Sequence, residues 1–188
     1  MNLWDAEADT FDDEPDHGLR DPAVRQAWAD LLLPLMPPAP AAVVDLGCGT
    51  GSLSLLLAEA GHDVCGVDLS SRMLDVARRK AVHVDFRLGD AADPPCPPGT
   101  YDVVLVRHVL WAMPDPGAAV GRWVRLLKPG GRLVLVEGRW FTGAGLTRDA
   151  CRALVRMHRQ EADVRVLDDP ALWGKEIDDE RYLLLSRR

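Results

Sequence analysis

No stretch of this 188-residue chain approaches the roughly twenty consecutive apolar residues that a membrane-spanning helix needs, so insertion into a bilayer is not expected. The chain begins without a basic segment leading into an apolar one, so no secretory signal is expected and the cytoplasm is the expected compartment. Cysteine is sparse and scattered. Cys48, Cys65, Cys96 and Cys151 form no Cys-x-x-Cys pair and have no histidine at ligand spacing, which predicts reduced thiols and no metal site. Residues 1–16 hold no Lys or Arg but seven acids, equal to the whole formal charge of −7, so the remainder is balanced. An acidic arm and no basic stripe argue against nucleic acid as a partner. A Gly-x-Ser-x-Gly elbow, a phosphate-loop lysine and any internal repeat are missing too.

What is present is most concentrated at Val43-Val44-Asp45-Leu46-Gly47-Cys48-Gly49-Thr50-Gly51. A β-branched run enters three alternating glycines, and the apolar run Leu53–Ala58 follows at once, an order that reads as strand, tight turn and helix. Glycine there permits positive φ and close approach of a ligand, and the first turn of the helix offers unpaired amides. A second short strand, from Asp63, ends in Asp68, at the distance from which an acid in a βαβ unit reaches ribose hydroxyls. These residues predict a nucleoside-cofactor site. The glycine spacing is Gly-x-Gly-x-Gly rather than Gly-x-Gly-x-x-Gly, with Asp45 just before it; a carboxylate there repels a pyrophosphate and attracts an ammonium or sulfonium centre.

Elsewhere helix and strand signals alternate. Asp21-Pro22 starts a helix whose apolar face is Val24, Trp28, Leu31, Leu32 and Leu35, and Pro37, Pro38 and Pro40 stop it. Ser70 caps a helix carrying Met73, Leu74 and Ala77, a strand lies at 84–88, and Asp102–Val106 reads as a buried strand. Lys128-Pro129-Gly130-Gly131 reads as a turn into strand five, a last helix is predicted over 147–160, and strands near 164–167 and 181–186 close the chain. The expected fold is α/β, a Rossmann-like doubly wound seven-stranded sheet. It is mostly parallel with the last strand antiparallel, reversed at an edge. The expected organisation is an acidic arm and lid helix over 1–36 and one core over 37–188.

The motifs together resemble the first motif of class I S-adenosylmethionine-dependent methyltransferases, and the arm resembles the ubiquinone and menaquinone C-methyltransferase-like branch. That resemblance implies S-adenosylmethionine as cofactor, held by Asp45, Gly47, Cys48, Gly49 and Gly51. It implies Asp68 on the ribose, Leu69 and Met73 against the adenine side, and Asp90-Ala91 at the adenine amino group and ring. Arg107-His108 take the position beside the methionine moiety, Trp4 and Phe11 the position of an aromatic lid, and Arg20 is a candidate for the cofactor carboxylate. Asp68 is expected to have few packing contacts. No Asn/Asp-Pro-Pro-aromatic sequence follows strand four, which argues against amino methylation of adenine or glutamine. Arg107 there argues against a divalent-metal catechol site.

Positioning a nucleophile in line with S–CH₃ carries most of such a reaction, and effective concentrations of this kind contribute up to about 7–11 kcal/mol. Where a proton must be removed, His108 is the candidate base and His17, from the arm, the second. Trp111, Trp140 and Phe141 are candidate substrate contacts, and Gly143-Ala144-Gly145 a flexible rim. The expected activity is methyl transfer to an oxygen, nitrogen or carbon of a small molecule. A catalytically silent module that binds the same cofactor stays open. A nicotinamide oxidoreductase fits less well, given the glycine spacing and the lack of a Tyr-x-x-x-Lys pair.

Overall fold

A computed structural model describes residues 3–188, of which the side chain of Leu3 lies outside the described residues. The arm folds as α1 (Leu3–Glu7), a 3-10 turn over Phe11–Asp13 and α2 (Pro15–Gly18), and leads into α3 (Pro22–Leu32). Asp21 caps α3 by accepting from the Ala23 amide at 2.8 Å, and Pro22 fills the first helical position, where no amide donor is needed. The first half of the sheet is β1 (Ala42–Leu46), α4 (Ser52–Glu59), β2 (Asp63–Asp68), α5 (Ser71–Lys80) and β3 (Asp85–Leu88). The second is β4 (Tyr101–Arg107), α6 (Pro116–Leu126), β5 (Leu127–Arg139), α7 (Arg148–Arg156), β6 (Asp163–Val166), α8 (Pro170–Trp173) and β7 (Glu180–Ser186).

The strands lie in the order β3-β2-β1-β4-β5-β7-β6. Pairs are parallel except that β7 runs against both β5 and β6. The seven-stranded doubly wound sheet with an antiparallel last strand is therefore as expected, with one correction: the reversed strand is interior and β6 is the edge. Burial explains the placement. Tyr182–Leu185 are buried and need partners on both sides, whereas β6 exposes most of its residues and tolerates an edge. A second correction concerns Lys128–Gly131, which do not break the chain into a turn but bulge out within β5. Tyr101 pairs with Leu127 and Val103 with Arg132, and the excess passes through Gly130 at φ 78°. The helix predicted over 147–160 is shorter, α7 ending at Arg156, and a short helix not predicted, α8, stands between β6 and β7.

Side-chain alternation divides the core into two layers. Val103 and Leu105 of β4 face α3, α4 and α8 together with Trp28 and Leu57, while Val104 and Val106 face α6 and α7 with Trp123. The Trp28 indole is fully buried and donates to the Leu172 carbonyl at 2.7 Å, fastening α3 to α8. Strand order reverses between β1 and β4, and this is where a crevice opens beyond the carboxyl ends of a doubly wound sheet.

Candidate functional site

A cavity of about 340 Å³ occupies that crevice, within the ~300–1,000 Å³ usual for small-molecule sites. One wall is the turn after β1. Gly47 and Cys48 donate their amides to the Val67 carbonyl at 2.7 and 3.0 Å, tying the turn to β2. Gly47 sits at φ 70°, and a Cβ there would come within 2.3 Å of the Val109 side chain, so no other residue fits. Asp68 serves this wall twice: Oδ2 accepts from the Gly49 amide and Oδ1 from the Ser70 amide, both at 2.8 Å. It is thus far from lacking contacts, contrary to the sequence expectation. Each oxygen keeps a further lone pair for a ligand hydroxyl.

Asp45 is buried and accepts from the Ser54 hydroxyl at 2.6 Å; burial pushes its carboxyl up to about 6. Burial also raises the Cys48 thiol well above its ordinary value, with Asp45 and Asp68 adding to the effect, so the sulfur stays protonated. Asp90 accepts from the Ala92 amide at 2.8 Å, shaping the turn in which Ala91 lines the cavity. Leu69, half exposed, and Met73, buried, complete this side.

The arm forms the roof. Its acids meet bases of the core: Asp12 pairs with Lys80 at 2.6 Å, Asp9 with Arg72 at 2.6 Å and Glu14 with Lys175 at 2.8 Å. Asp5 accepts from the Ser70 hydroxyl at 2.6 Å. Phe11 stacks on His17 with ring centroids 4.3 Å apart, and both line the cavity together with Trp4. Charge complementarity therefore holds the arm down on the core.

The remaining wall follows β4 and β5. Arg107 lies over the Trp28 ring, 5.1 Å from its centroid, and donates to the Asp16 carbonyl. His108 takes the left-handed conformation, φ 59°, and its ring stacks on Trp173 at 6.0 Å and meets the edge of Trp140 at 5.4 Å. Burial holds the His108 ring well below the ordinary histidine range, and Arg107, Arg181 and His17 push it the same way. The His17 ring is lowered too, chiefly by burial. Trp111 donates to the His108 carbonyl at 2.9 Å and packs on Trp140 with centroids 5.3 Å apart. Beneath them Glu137 is fully buried; its Oε1 accepts from the Val109 and Leu110 amides at 2.9 and 2.7 Å, and burial pushes its carboxyl up to about 8.

Most sequence-predicted residues thus line one cavity. Arg20, Gly51 and Phe141 do not. Arg20 is exposed and pairs with Asp13 at 3.0 Å, Gly51 ends the turn at φ 75° beneath Phe86, and Phe141 is 90% exposed. Leu53, Val109 and Ala112 line the cavity without having been singled out. Asp16, also missed, joins His17 and His108 so that one ligand atom of each lies within 4.8 Å of the others. The adjacent pair Asp16-His17 was visible; its meeting with a residue after β4 was not.

Residues 44–135 match the family described as a methyltransferase domain. Over 149 residues the chain is 37% identical to the ubiquinone biosynthesis O-methyltransferase of Thiobacillus denitrificans, covering 77% of this chain and 60% of that protein. Over 105 residues it is 41% identical to the demethylmenaquinone methyltransferase of Thermus thermophilus, covering 53% of this chain and 48% of that one. The chain spans about half the length of the curated relatives it matches. Its fold superposes with a TM-score of 0.74 on geranyl diphosphate C-methyltransferase from Streptomyces coelicolor, at 19% identity, covering 87% of this chain and 79% of that one. Among the described residues no helix is long and apolar enough to cross a membrane.

Proposed function

We propose, from the premise that residues 44–135 are a class I, S-adenosylmethionine-dependent methyltransferase domain, that this chain moves the cofactor's methyl group to an oxygen, nitrogen or carbon of a small molecule. The observation that carries the reading is the asymmetry of the cavity. Backbone amides and the Asp45, Asp68 and Asp90 carboxylates line one end, and Trp111, Met113 and Trp140 line the other. The first end suits adenosine, an ammonium and a sulfonium; the second suits an apolar or flat acceptor. Asp68 takes the ribose hydroxyls, Asp90-Ala91 face the adenine, and Asp45 offsets the cationic methionine part. Trp4 and Phe11 cover the cofactor and exclude water.

The sulfonium is already activated, so the chain's work is to hold the acceptor in line with the S–CH₃ bond. For an acceptor with a proton to lose, His17 and His108 are the ring nitrogens on its side of the cavity. The acidic arm argues against nucleic acid as the acceptor, and four free cysteines agree with a reducing compartment such as the cytoplasm. Calorimetry tests the reading. Adenosylhomocysteine is expected to bind with micromolar or tighter affinity and NAD not to bind; tighter binding of NAD overturns it.

A further inference from the structure

At the cavity wall His17 and His108, which line it, meet the buried Asp16, which does not. Asp16 and His17 come from the arm and His108 from the end of β4, yet one ligand atom of each lies within 4.8 Å of the others. Asp16 Oδ2 and His17 Nε2 are 3.6 Å apart, too far for a hydrogen bond and close to the separation of two ligands on one ion. His108 Nε2 is shut off from solvent and has no hydrogen-bond partner, an uncommon state for a buried ring nitrogen.

Both rings are held in place by other contacts. His17 stacks on Phe11 with ring centroids 4.3 Å apart. His108 is fixed by its amide bond to the Val136 carbonyl at 2.8 Å and by Trp173 and Trp140. Its left-handed backbone costs free energy in a residue with a Cβ, and such strain gathers at functional sites. Two guanidiniums lie near the same centre: Arg107 donates to the Asp16 carbonyl and lies over Trp28, and Arg181 has Asp179 at 3.2 Å and lies over Trp140 and Trp173.

We propose that Asp16, His17 and His108 bind one divalent transition-metal ion, with an open coordination position turned to the cavity for an oxygen or nitrogen of the acceptor. Two imidazoles and a carboxylate suit Zn²⁺ best and accept Co²⁺ as a stand-in. The open position's use rests on the methyl-transfer reading; the ion site does not.

The test uses the full chain after chelator treatment, titrated with Zn²⁺ by calorimetry and with Co²⁺ by its visible ligand-field absorption. One ion per chain is expected, with a four-coordinate Co²⁺ band. His17→Ala and His108→Ala should each weaken Zn²⁺ binding roughly tenfold or more. His158→Ala should not, because that ring bonds the Gly117 carbonyl. Should an alanine variant fail to fold, His17→Gln and Asp16→Asn provide the same comparison. Adenosylhomocysteine affinity should stay within a few-fold in His158→Ala, whose ring lies outside the cavity. A parent that binds Zn²⁺ but not adenosylhomocysteine would end the methyl-transfer reading and leave the ion site standing. A parent that binds no Zn²⁺, or a His17→Ala/His108→Ala double variant that still does, overturns the site.

Discussion

The two ends of the cavity are built by different means. The end at β1 and β2 is made of main-chain amides and short carboxylates set by consecutive residues, Gly47–Gly49 and Asp68–Ser70, with hydrogen bonds near 2.8 Å. The end at β4 and β5 is made of large rings brought from separate segments: Trp140 meets both His108 and Trp111 edge to face, and His108 stacks on Trp173. Short side chains on a strand end have almost no conformational freedom, so the first end keeps one shape. Rings on loops after strands are exchanged without disturbing the sheet, which suits a surface that selects an acceptor.

The sharpest way to break this contrast is Asp68→Ala. Charge-assisted bonds to two ribose hydroxyls are worth about 1.5–3 kcal/mol each, so adenosylhomocysteine binding should weaken by about 3 kcal/mol, on the order of a hundredfold, in calorimetry. The melting temperature should fall too, since the Gly49 and Ser70 amides lose their acceptor. Unchanged affinity would remove the carboxylate from the ribose.

Glu137 probes the other end, because it holds the loop after β4. Its folded-state value is raised from 4.5 to about 8, so the native protein binds a proton that the unfolded chain releases. Stability should therefore decline as pH rises between those values, by about 1.4 kcal/mol per unit at most. Glu137→Gln keeps an acceptor for the Val109 and Leu110 amides and should flatten the decline, with a gain on the order of 2 kcal/mol at pH 9. Melting curves across pH decide it; parallel profiles for both proteins would show that the carboxyl is ionised throughout.

A smaller effect is expected at the roof. Trp4→Ala with Phe11→Ala should cost about tenfold in adenosylhomocysteine affinity, close to 1.4 kcal/mol, while leaving a cooperative melt. No change in affinity would mean that the aromatics cover nothing. Smallest of all, Phe141→Ser should alter stability by less than ~0.5 kcal/mol and leave cofactor affinity alone, since its ring stands in solvent. A drop in acceptor turnover without either change would extend the acceptor wall outward to this loop.

The same contrast decides what was legible in the sequence. Gly47, Gly49, Asp68 and Asp90 lie within a few residues of strand ends, so local pattern finds them. Caps at Asp21 and Ser70 and the two-residue alternation of β4 are local as well. Which strand sits at the edge is not, because it depends on whether β6 or β7 has more apolar surface to bury. Lys128–Gly131 looked like a turn because proline and glycine usually end a strand, and here pairing on both sides carries the strand past them. Arg20 stands outside the cavity, held by Asp13 at 3.0 Å and Asp12 at 3.7 Å, partners that its position in the sequence does not reveal. Asp16 was overlooked because its neighbour in space, His108, arrives from the far side of the fold.

The roof is fastened mostly by ion pairs with exposed partners, Arg72 with Asp9 and Lys175 with Glu14 among them. Pairs of this kind contribute about 0–1 kcal/mol each and weaken as the Debye length shrinks from ~8 Å at physiological salt to ~3 Å at 1 M. Departure of the spent cofactor then becomes a salt-timed event: the dissociation rate, more than the chemical step, responds to ionic strength. Stopped-flow displacement of a fluorescent adenosyl ligand should show release quickening several-fold from low to high KCl, and a rate indifferent to salt would mean that ligand leaves without the arm lifting.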